Sequence, residues 1–148
     1  MSIAAIEKND WNVFLELIPD YVNLEINLSC PNVDKVGVDY KTLSKFYDAF
    51  WNNKRQWCIA KISPLSTEDE IKRLIDIGFG QIHCSNTLPV TGGGLSGKEL
   101  INYTTKHIDY IKTNYPSVKI IAGGGINHID IVNYYNCLLY TSDAADED

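Results

Sequence analysis

A thiol and two carboxamides cluster at the end of one short apolar run. Residues 22–28 form an extended run, and Cys30 and Asn32 follow it. The run carries Asn27 just inside its end and Cys30 just beyond it, where parallel α/β folds place reactive groups. A thiol between two carboxamides can serve as a general base beside a flat polar substrate. The alternative is a small buried hydrophobe, which is the role of most free cysteines.

Later stretches of the chain end in residues that such a thiol would need. Lys61 ends an apolar run, and Asn86 and Thr87 follow another run around Ile82. The carboxyl ends of parallel strands meet on one face of a barrel, so these groups would converge there. Lys61 would then be a fixed cation, and Asn86 and Thr87 would hydrogen-bond a planar ligand. A solvent-facing lysine and a simple turn are the alternatives.

Two glycine-rich segments are candidates for binding a phosphate group. The loop at residues 91–97 contains four glycines, and residues 123–125 are three glycines in a row. Glycines let backbone N–H groups approach an anion closely, and a nearby helix N-terminus adds a favourable field. Neither segment matches the Walker loop or the Gly-x-Gly-x-x-Gly fingerprint, and many glycine loops are only turns.

The spacing of apolar residues predicts helices and strands in alternation. Strands are predicted at residues 22–28, 57–62, 79–84 and 118–122. Amphipathic helices lie between them, and Thr67 and Glu70 have capping-box spacing at the start of one helix. This alternation indicates a parallel sheet, either open and doubly wound or part of a (β/α)₈ barrel. With 148 residues the chain is too short for a whole barrel, which needs about 250 residues.

Both ends of the sequence suggest an internal piece of a longer protein. Residues 2–5 resemble the end of a strand whose beginning is absent. Residues 137–147 break the amphipathic pattern of a final predicted helix and match one reading frame of a common transposase-type sequencing adapter. We therefore expect a partial barrel domain at residues 1–136 and a non-native read-through tail at residues 137–148. The alternative for the tail is a natural acidic extension.

Composition and charge narrow the class of protein. The formal net charge of −6 argues against a protein that binds a nucleic-acid backbone. No apolar run approaches the roughly 20 residues that span a bilayer, and the N-terminus lacks a signal peptide's features, which favours a cytoplasmic protein. The four cysteines show no Cys-x-x-Cys spacing, so no metal site is expected. We interpret His83 and Cys84 as packing residues, and His107 and His128 as surface residues.

Five motifs together resemble dihydroorotate dehydrogenase in their order and spacing. They are Glu-Ile-Asn-Leu-Ser-Cys-Pro-Asn at 25–32, Ala-Lys-Ile at 60–62, Ser-Asn-Thr at 85–87, Gly-Gly-Leu-Ser-Gly at 93–97 and Ile-Ile-Ala-Gly-Gly-Gly-Ile at 120–126. The resemblance covers about residues 2–136 and corresponds to the family's barrel from the end of its third strand through its seventh. It implies a partial TIM (β/α)₈ barrel and an FMN-dependent oxidation of dihydroorotate to orotate in pyrimidine biosynthesis.

The resemblance also implies which residues act on the substrate. Cys30 resembles the catalytic base that takes the proton from C5 of dihydroorotate, while hydride leaves C6 for the flavin. The residues that resemble the holders of the pyrimidine ring are Asn27, Asn32, Asn86 and Thr87.

A second set of residues resembles the contacts of the family with FMN. Lys61 resembles the lysine near flavin N1 and O2, where a positive charge would stabilise reduced flavin. Gly124 and Gly125 resemble the contacts near the phosphate. The whole implied FMN set is Asn27, Lys61, Ser85, Gly97, Gly124 and Gly125.

The type of base distinguishes branches of this family. Soluble class 1 enzymes use cysteine and membrane-associated class 2 enzymes use serine, so Cys30 implies class 1. The implied partners are a small-molecule substrate and FMN, with no nucleic acid and no membrane segment. The resemblance leaves open which electron acceptor is used and whether the parent protein is a homodimer.

Parts of the family's barrel have no counterpart in this sequence, namely strands one and two, most of three, and eight. We therefore expect the parent protein to be an enzyme and the isolated chain to be inactive. One alternative is a pyrimidine reductase like dihydropyrimidine dehydrogenase, where histidine commonly stands at the position of Asn32. Dihydrouridine synthase is more remote, since it calls for a basic surface and this chain has 13 basic and 19 acidic residues. A truncated, non-catalytic binding module is the alternative from another class.

Overall fold

Helices and strands alternate through the computed structural model, which describes residues 1–7, 9–29, 39–51, 54–85 and 87–126. The strands are β1 (Ser2–Ile3), β2 (Leu24–Asn27), β3 (Cys58–Ile62), β4 (Gln81–Cys84), β5 (Leu88–Val90), β6 (Gly93–Leu95) and β7 (Lys119–Ala122). The helices are α1 (Asp10–Leu17), α2 (Tyr40–Trp51), α3 (Glu68–Asp76) and α4 (Ile101–Asn114), with a 3₁₀ turn at Lys98–Leu100 before α4. Across these ranges, no helix is long and apolar enough to cross a membrane.

Five strands form one parallel sheet in the order β1-β2-β3-β4-β7. The predicted parallel α/β architecture is confirmed, and the sheet with its helices is compatible with part of a TIM barrel. The predicted strand at residues 22–28 is shorter in the structure, because β2 begins at Leu24 and ends at Asn27. An antiparallel hairpin of β5 and β6, which the apolar pattern did not predict, lies between β4 and α4. The predicted final helix and the tail at residues 137–148 lie outside the described residues.

The core lies between one face of the sheet and the helices. Successive side chains of a strand point to opposite faces, and on each central strand the same alternate positions are fully buried. The strand residues in this core include Leu24, Ile26, Cys58, Ala60, Ile62, Ile82, Cys84, Ile120 and Ala122. Trp11, Phe46, Ile71 and Ile108 pack on them from the four helices. The other face of the sheet therefore carries the polar positions.

The predicted capping box is confirmed at the start of α3. The Thr67 hydroxyl accepts a hydrogen bond from the backbone N–H of Glu70 at 3.2 Å. The Glu70 carboxylate accepts one from the backbone N–H of Thr67 at 2.7 Å. Two N–H groups that the helix cannot pair internally are thus satisfied. Ile71 and Leu74, on the inner side of this helix, are buried in the core.

Replacing Thr67 by Ala should lower the free energy of unfolding by about 1 kcal/mol, because the cap accepts a hydrogen bond that alanine cannot. Urea denaturation of the 148-residue chain, followed by circular dichroism, measures the change. Thr113→Ala is the matched control, since Thr113 is exposed within α4. Equal stability of the Thr67 variant and the wild type would contradict the assigned cap.

Candidate active site

The strand register brings two predicted site residues together on the polar face of the sheet. Asn27 on β2 is the register partner of Lys61 on β3, and Lys61 is the partner of His83 on β4. His83 in turn is paired with Ile121 on β7. Because parallel strands share a direction, this row lies near the carboxyl edge of the sheet. The predicted convergence of Asn27 and Lys61 is therefore seen in the backbone pairing itself.

Asn27 organises the point where β2 ends. Its side-chain oxygen accepts hydrogen bonds from the backbone N–H of Ser29 at 3.1 Å and from the Ser29 hydroxyl at 2.6 Å. An asparagine that bonds the backbone two residues later forms a turn, so the carboxamide directs the chain out of the strand. The turn leads directly to Cys30, but Cys30, Asn32 and Asn86 lie outside the described residues.

Lys61 is a buried cation on this face, with 8% of its surface exposed. Burial lowers the pKa of its ammonium below the ordinary value, because the charged form loses hydration. The nearby Glu25 carboxylate acts in the opposite direction and raises that pKa. Within the described ranges, no hydrogen bond or ion pair holds the ammonium. The alternative of an outward-facing lysine is therefore wrong.

An ion-pair partner of His83 was not anticipated from the sequence. His83 Nδ1 lies 2.8 Å from Oε2 of Glu25, and the Ser2 hydroxyl donates to Oε1 of Glu25 at 2.9 Å. The hydrogen bond with His83 is the main reason that the pKa of Glu25 lies below its ordinary value, and Ser2 and Lys61 add to it against burial. The interpretation of His83 as a packing residue was incomplete. Glu25 precedes Asn27 by two residues, a same-face spacing that could have drawn attention to it.

The glycine segments meet at the same edge of the sheet. A Cβ placed on Gly125 would lie 2.5 Å from the carbonyl oxygen of Gly97, and one on Gly124 would lie 2.7 Å from that of Ser85. Both Gly124 and Gly125 have positive φ, at 79° and 74°. Four predicted contact residues thus share one small region, and only glycine fits at two of them.

Ser85 stands out inside this glycine cluster. It is completely buried, its φ is +26°, and its hydroxyl has no hydrogen-bond partner among the described residues. A buried hydroxyl without a partner is costly, and an unusual backbone angle at such a position often marks a functional site. Ser85 therefore offers a free donor and acceptor beside the glycine turn.

Thr104 of α4 fastens the glycine turn to the helix. Its buried hydroxyl lies 2.9 Å from the carbonyl oxygen of Gly123 and 3.3 Å from that of Gly124. A single 3₁₀ turn separates Gly97 from the start of α4, so the N-terminus of the helix is held close to the glycine turn at residues 123–125. An anion near this edge would meet backbone N–H groups and the positive end of a helix. Sequence reasoning missed Thr104, since it lies in the first turn of α4 with no motif around it.

Thr87 lies just outside the glycine cluster, at the base of the β5–β6 hairpin. It is half-buried, and its methyl group lies so close to Gly94 that a Cβ there would collide with it. The loop at residues 91–97 is one of the two candidates for binding a phosphate group, with a simple turn as the alternative. In the structure its middle forms strand β6 and its end, Gly97, is the part that meets Gly125.

The interpretation of His107 as a surface residue was wrong. Its side chain is buried on the inner side of α4, and Nε2 lies 3.0 Å from the backbone carbonyl oxygen of Ser66. Burial lowers the pKa of this imidazole. His107 lines an open cavity of about 710 Å³ between residues 64–69 and α4, which contains none of the predicted site residues. His128 lies outside the described residues.

Comparison with known proteins adds independent information. The family model described as dihydroorotate dehydrogenase matches residues 1–137. The chain is 26% identical over 129 residues to the catalytic subunit of dihydroorotate dehydrogenase B (NAD(+)) from Thermotoga maritima and from Thermotoga petrophila, covering 77% of this chain and 48% of each relative. It is 29% identical over 121 residues to dihydroorotate dehydrogenase (quinone) from Dichelobacter nodosus, covering 72% of this chain and 34% of that relative. The chain thus spans half or less of the length of the curated relatives it matches.

The Glu25 carboxylate should make stability depend on pH at the acid end. Its pKa is lower in the folded chain than the ordinary value of 4.5, so the folded state binds fewer protons there than the unfolded state. The stabilisation is complete above the unfolded pKa and is lost as pH falls through the folded pKa. Urea midpoints measured from pH 7 down to pH 3 should fall less steeply in Glu25→Gln than in the wild type, with Ser2→Ala between them. Parallel curves for Glu25→Gln and the wild type would exclude this contribution.

Three alanine substitutions should separate close packing from backbone strain in the glycine segments. Gly125→Ala combines a positive φ with a collision, Gly92→Ala has a φ of +88° in open space, and Gly93→Ala has neither. A left-handed non-glycine residue costs roughly 1–2 kcal/mol, so we expect about that loss for Gly92→Ala and more for Gly125→Ala. Gly93→Ala should be close to neutral. Thermal unfolding measures the order, and a Gly125 variant no weaker than the Gly92 variant would contradict the close approach.

Proposed function

The chain belongs to the dihydroorotate dehydrogenase family, and we propose that it serves the oxidation of dihydroorotate to orotate in pyrimidine biosynthesis, with FMN as the hydride acceptor. One observation carries the proposal. The Asn27–Lys61 pair and the glycine cluster with Ser85 lie at the same carboxyl edge of one parallel sheet. Active sites of parallel barrels are built at this edge.

The described residues fit FMN in three respects. Lys61 is a buried cation without a hydrogen-bonded partner in the described residues, which suits an electron-rich ring that gains negative charge on reduction. The Ser85 hydroxyl is buried and has no partner among the residues that the structure describes, so it can hydrogen-bond a ligand. Gly124 and Gly125 leave room where a side chain would collide with neighbouring backbone. We propose Asn27, Lys61, Ser85, Gly97, Gly124 and Gly125 as the FMN-binding set.

The substrate side of the proposal rests on the residues around the end of β2. Ser29 donates to the side-chain oxygen of Asn27, and the amide N–H groups of Asn27 have no acceptor among the described residues, so they can donate to a ligand. We propose that Asn27, Asn32, Asn86 and Thr87 hold the pyrimidine ring edge, whose C=O and N–H groups alternate.

Cys30 is the proposed base, and its position in the sequence, directly after Ser29, supports this role. A thiolate there takes the proton from C5 of dihydroorotate. FMN, when bound, accepts the hydride that leaves C6. The thiol then returns its proton to solvent for the next turnover. A cysteine base points to class 1 of the family.

The described sheet has two edges, and this bears on activity. β1 and β7 each pair with one strand only among the described residues. A barrel requires closure of the sheet, and open edges expose unpaired backbone groups. We propose that turnover requires these five strands to be part of a closed barrel and that the isolated 148-residue chain does not form orotate.

A chimera tests the proposal directly. Residues 1–136 replace the matching segment of the Thermotoga maritima catalytic subunit, and FMN absorbance and orotate formation are measured. We expect a yellow protein that forms orotate from dihydroorotate, and a 10²–10⁴-fold slower rate in Cys30→Ala, the usual contribution of a general base. The 148-residue chain alone, assayed with added FMN, should form none.

Cys58→Ala is the matched control for the base. Burial raises the pKa of the Cys58 thiol to about 12, so this thiol stays neutral at working pH and its removal should leave turnover intact. Equal rates for the chimera with and without Cys30 would refute the proposed base. Turnover of uracil with NADPH in place of dihydroorotate would favour the pyrimidine-reductase alternative.

A further inference from the structure

The Glu25–His83 contact spans a whole strand. Glu25 lies on β2 and His83 on β4, and both of these strands pair with β3 between them. Adjacent strands lie about 4.8 Å apart, so the two backbones are separated by roughly 10 Å. Oε2 and Nδ1 nevertheless approach to 2.8 Å. The two side chains therefore converge over β3 on the polar face, between the positions of Ile59 and Lys61.

This contact lies directly beside Lys61. In the register, Glu25 is the partner of Ile59, two residues before Lys61, and His83 is the partner of Lys61 itself. The carboxylate and the ammonium influence each other, since each favours the charged form of the other. In the described part of the chain, Glu25 is the acid that acts on Lys61 in this way.

Both oxygens of Glu25 are fixed by neighbours. Ser2 holds Oε1 from β1, and His83 holds Oε2 from β4. The imidazole is itself wedged, because its Nε2 is buried and a Cβ on Gly123 would lie 2.7 Å from it. The Glu25 carboxylate is held by two hydrogen bonds, and the imidazole that makes one of them is itself confined by Gly123. The carboxylate is therefore a fixed counter-charge rather than a mobile one.

We propose that Glu25 and His83 are positioning residues for Lys61. Glu25 supplies a nearby counter-charge that favours the charged form of the ammonium at the site edge, and His83 anchors the carboxylate against the glycine turn. The inference rests on the proposed function, in which the charge of Lys61 acts on the flavin. Replacing either residue should shift the titration of Lys61 more than it changes the stability of the fold.

Direct titration of Lys61 tests the pair without any flavin. The 148-residue chain is reductively methylated with ¹³C-formaldehyde, and the Lys61 signal is assigned by its loss in Lys61→Arg. We expect its titration midpoint to move to lower pH in Glu25→Gln, because the attraction that favours the ammonium is gone. Glu16→Gln removes an exposed acid of α1 and is the matched control, which should leave the Lys61 midpoint in place.

Two variants at residue 83 separate positioning from mere packing. His83→Leu keeps volume but no donor, so it should move the Lys61 midpoint in the same direction as Glu25→Gln. His83→Gln keeps an N–H for the carboxylate and should restore the wild-type midpoint. An unchanged midpoint in both Glu25→Gln and His83→Leu overturns the inference. If Glu25→Gln does not fold, His83→Leu alone decides.

The two proposals are tested on different proteins by different measurements. The orotate assay and the FMN absorbance of the chimera judge the proposed function. The Lys61 midpoint judges the positioning pair. A shifted Lys61 midpoint together with a chimera that binds no FMN would retain the pair and refute the flavin site, and the reverse result would retain the flavin site alone.

Discussion

The parallel register of β2, β3 and β4 is the constraint on which the candidate site depends. Side chains alternate between the two faces of a strand, so the register decides both which residues enter the core and which face the site. Leu24 and Ile26 go to the helix side, and Glu25 and Asn27 go to the polar side. A slip of one residue would exchange these sets. It would bury two polar groups among the helices and expose the apolar ones.

Burying a charged group on the polar face of the sheet costs free energy, and other groups on that face offset part of this cost. A buried ammonium such as that of Lys61 loses hydration, and an unpaired charge in a protein interior is strongly disfavoured. The Glu25 carboxylate offsets part of this loss, and it is kept charged by His83 and Ser2. The face is therefore a small electrostatic unit rather than a row of independent side chains. Each member depends on partners from other strands.

The sequence predicted the helices and strands, but it did not predict which distant side chains contact each other. Apolar spacing and the Thr67–Glu70 pair were enough for the helices and the parallel sheet, because both signals are local. The Glu25–His83 contact joins residues 58 positions apart, and no local pattern encodes which strands flank β3. The same limit explains His107, whose burial depends on the loop at Ser66. The motifs indicated the region of the candidate site, and the register was needed to pair its described members.

The contact between Gly97 and Gly125 has a consequence for the order of assembly. The Asn27–Lys61–His83 row is complete once β4, which spans Gln81–Cys84, has been made. The glycine contact cannot exist until β7 has been added and its turn has reached Gly97. During synthesis the N-terminal parts of a chain form first. The Asn27–Lys61–His83 row is therefore made about forty residues before the contact between Gly97 and Gly125. A ribosome-bound intermediate thus exposes Lys61 and Glu25 to water before Gly97 and Gly125 come into contact.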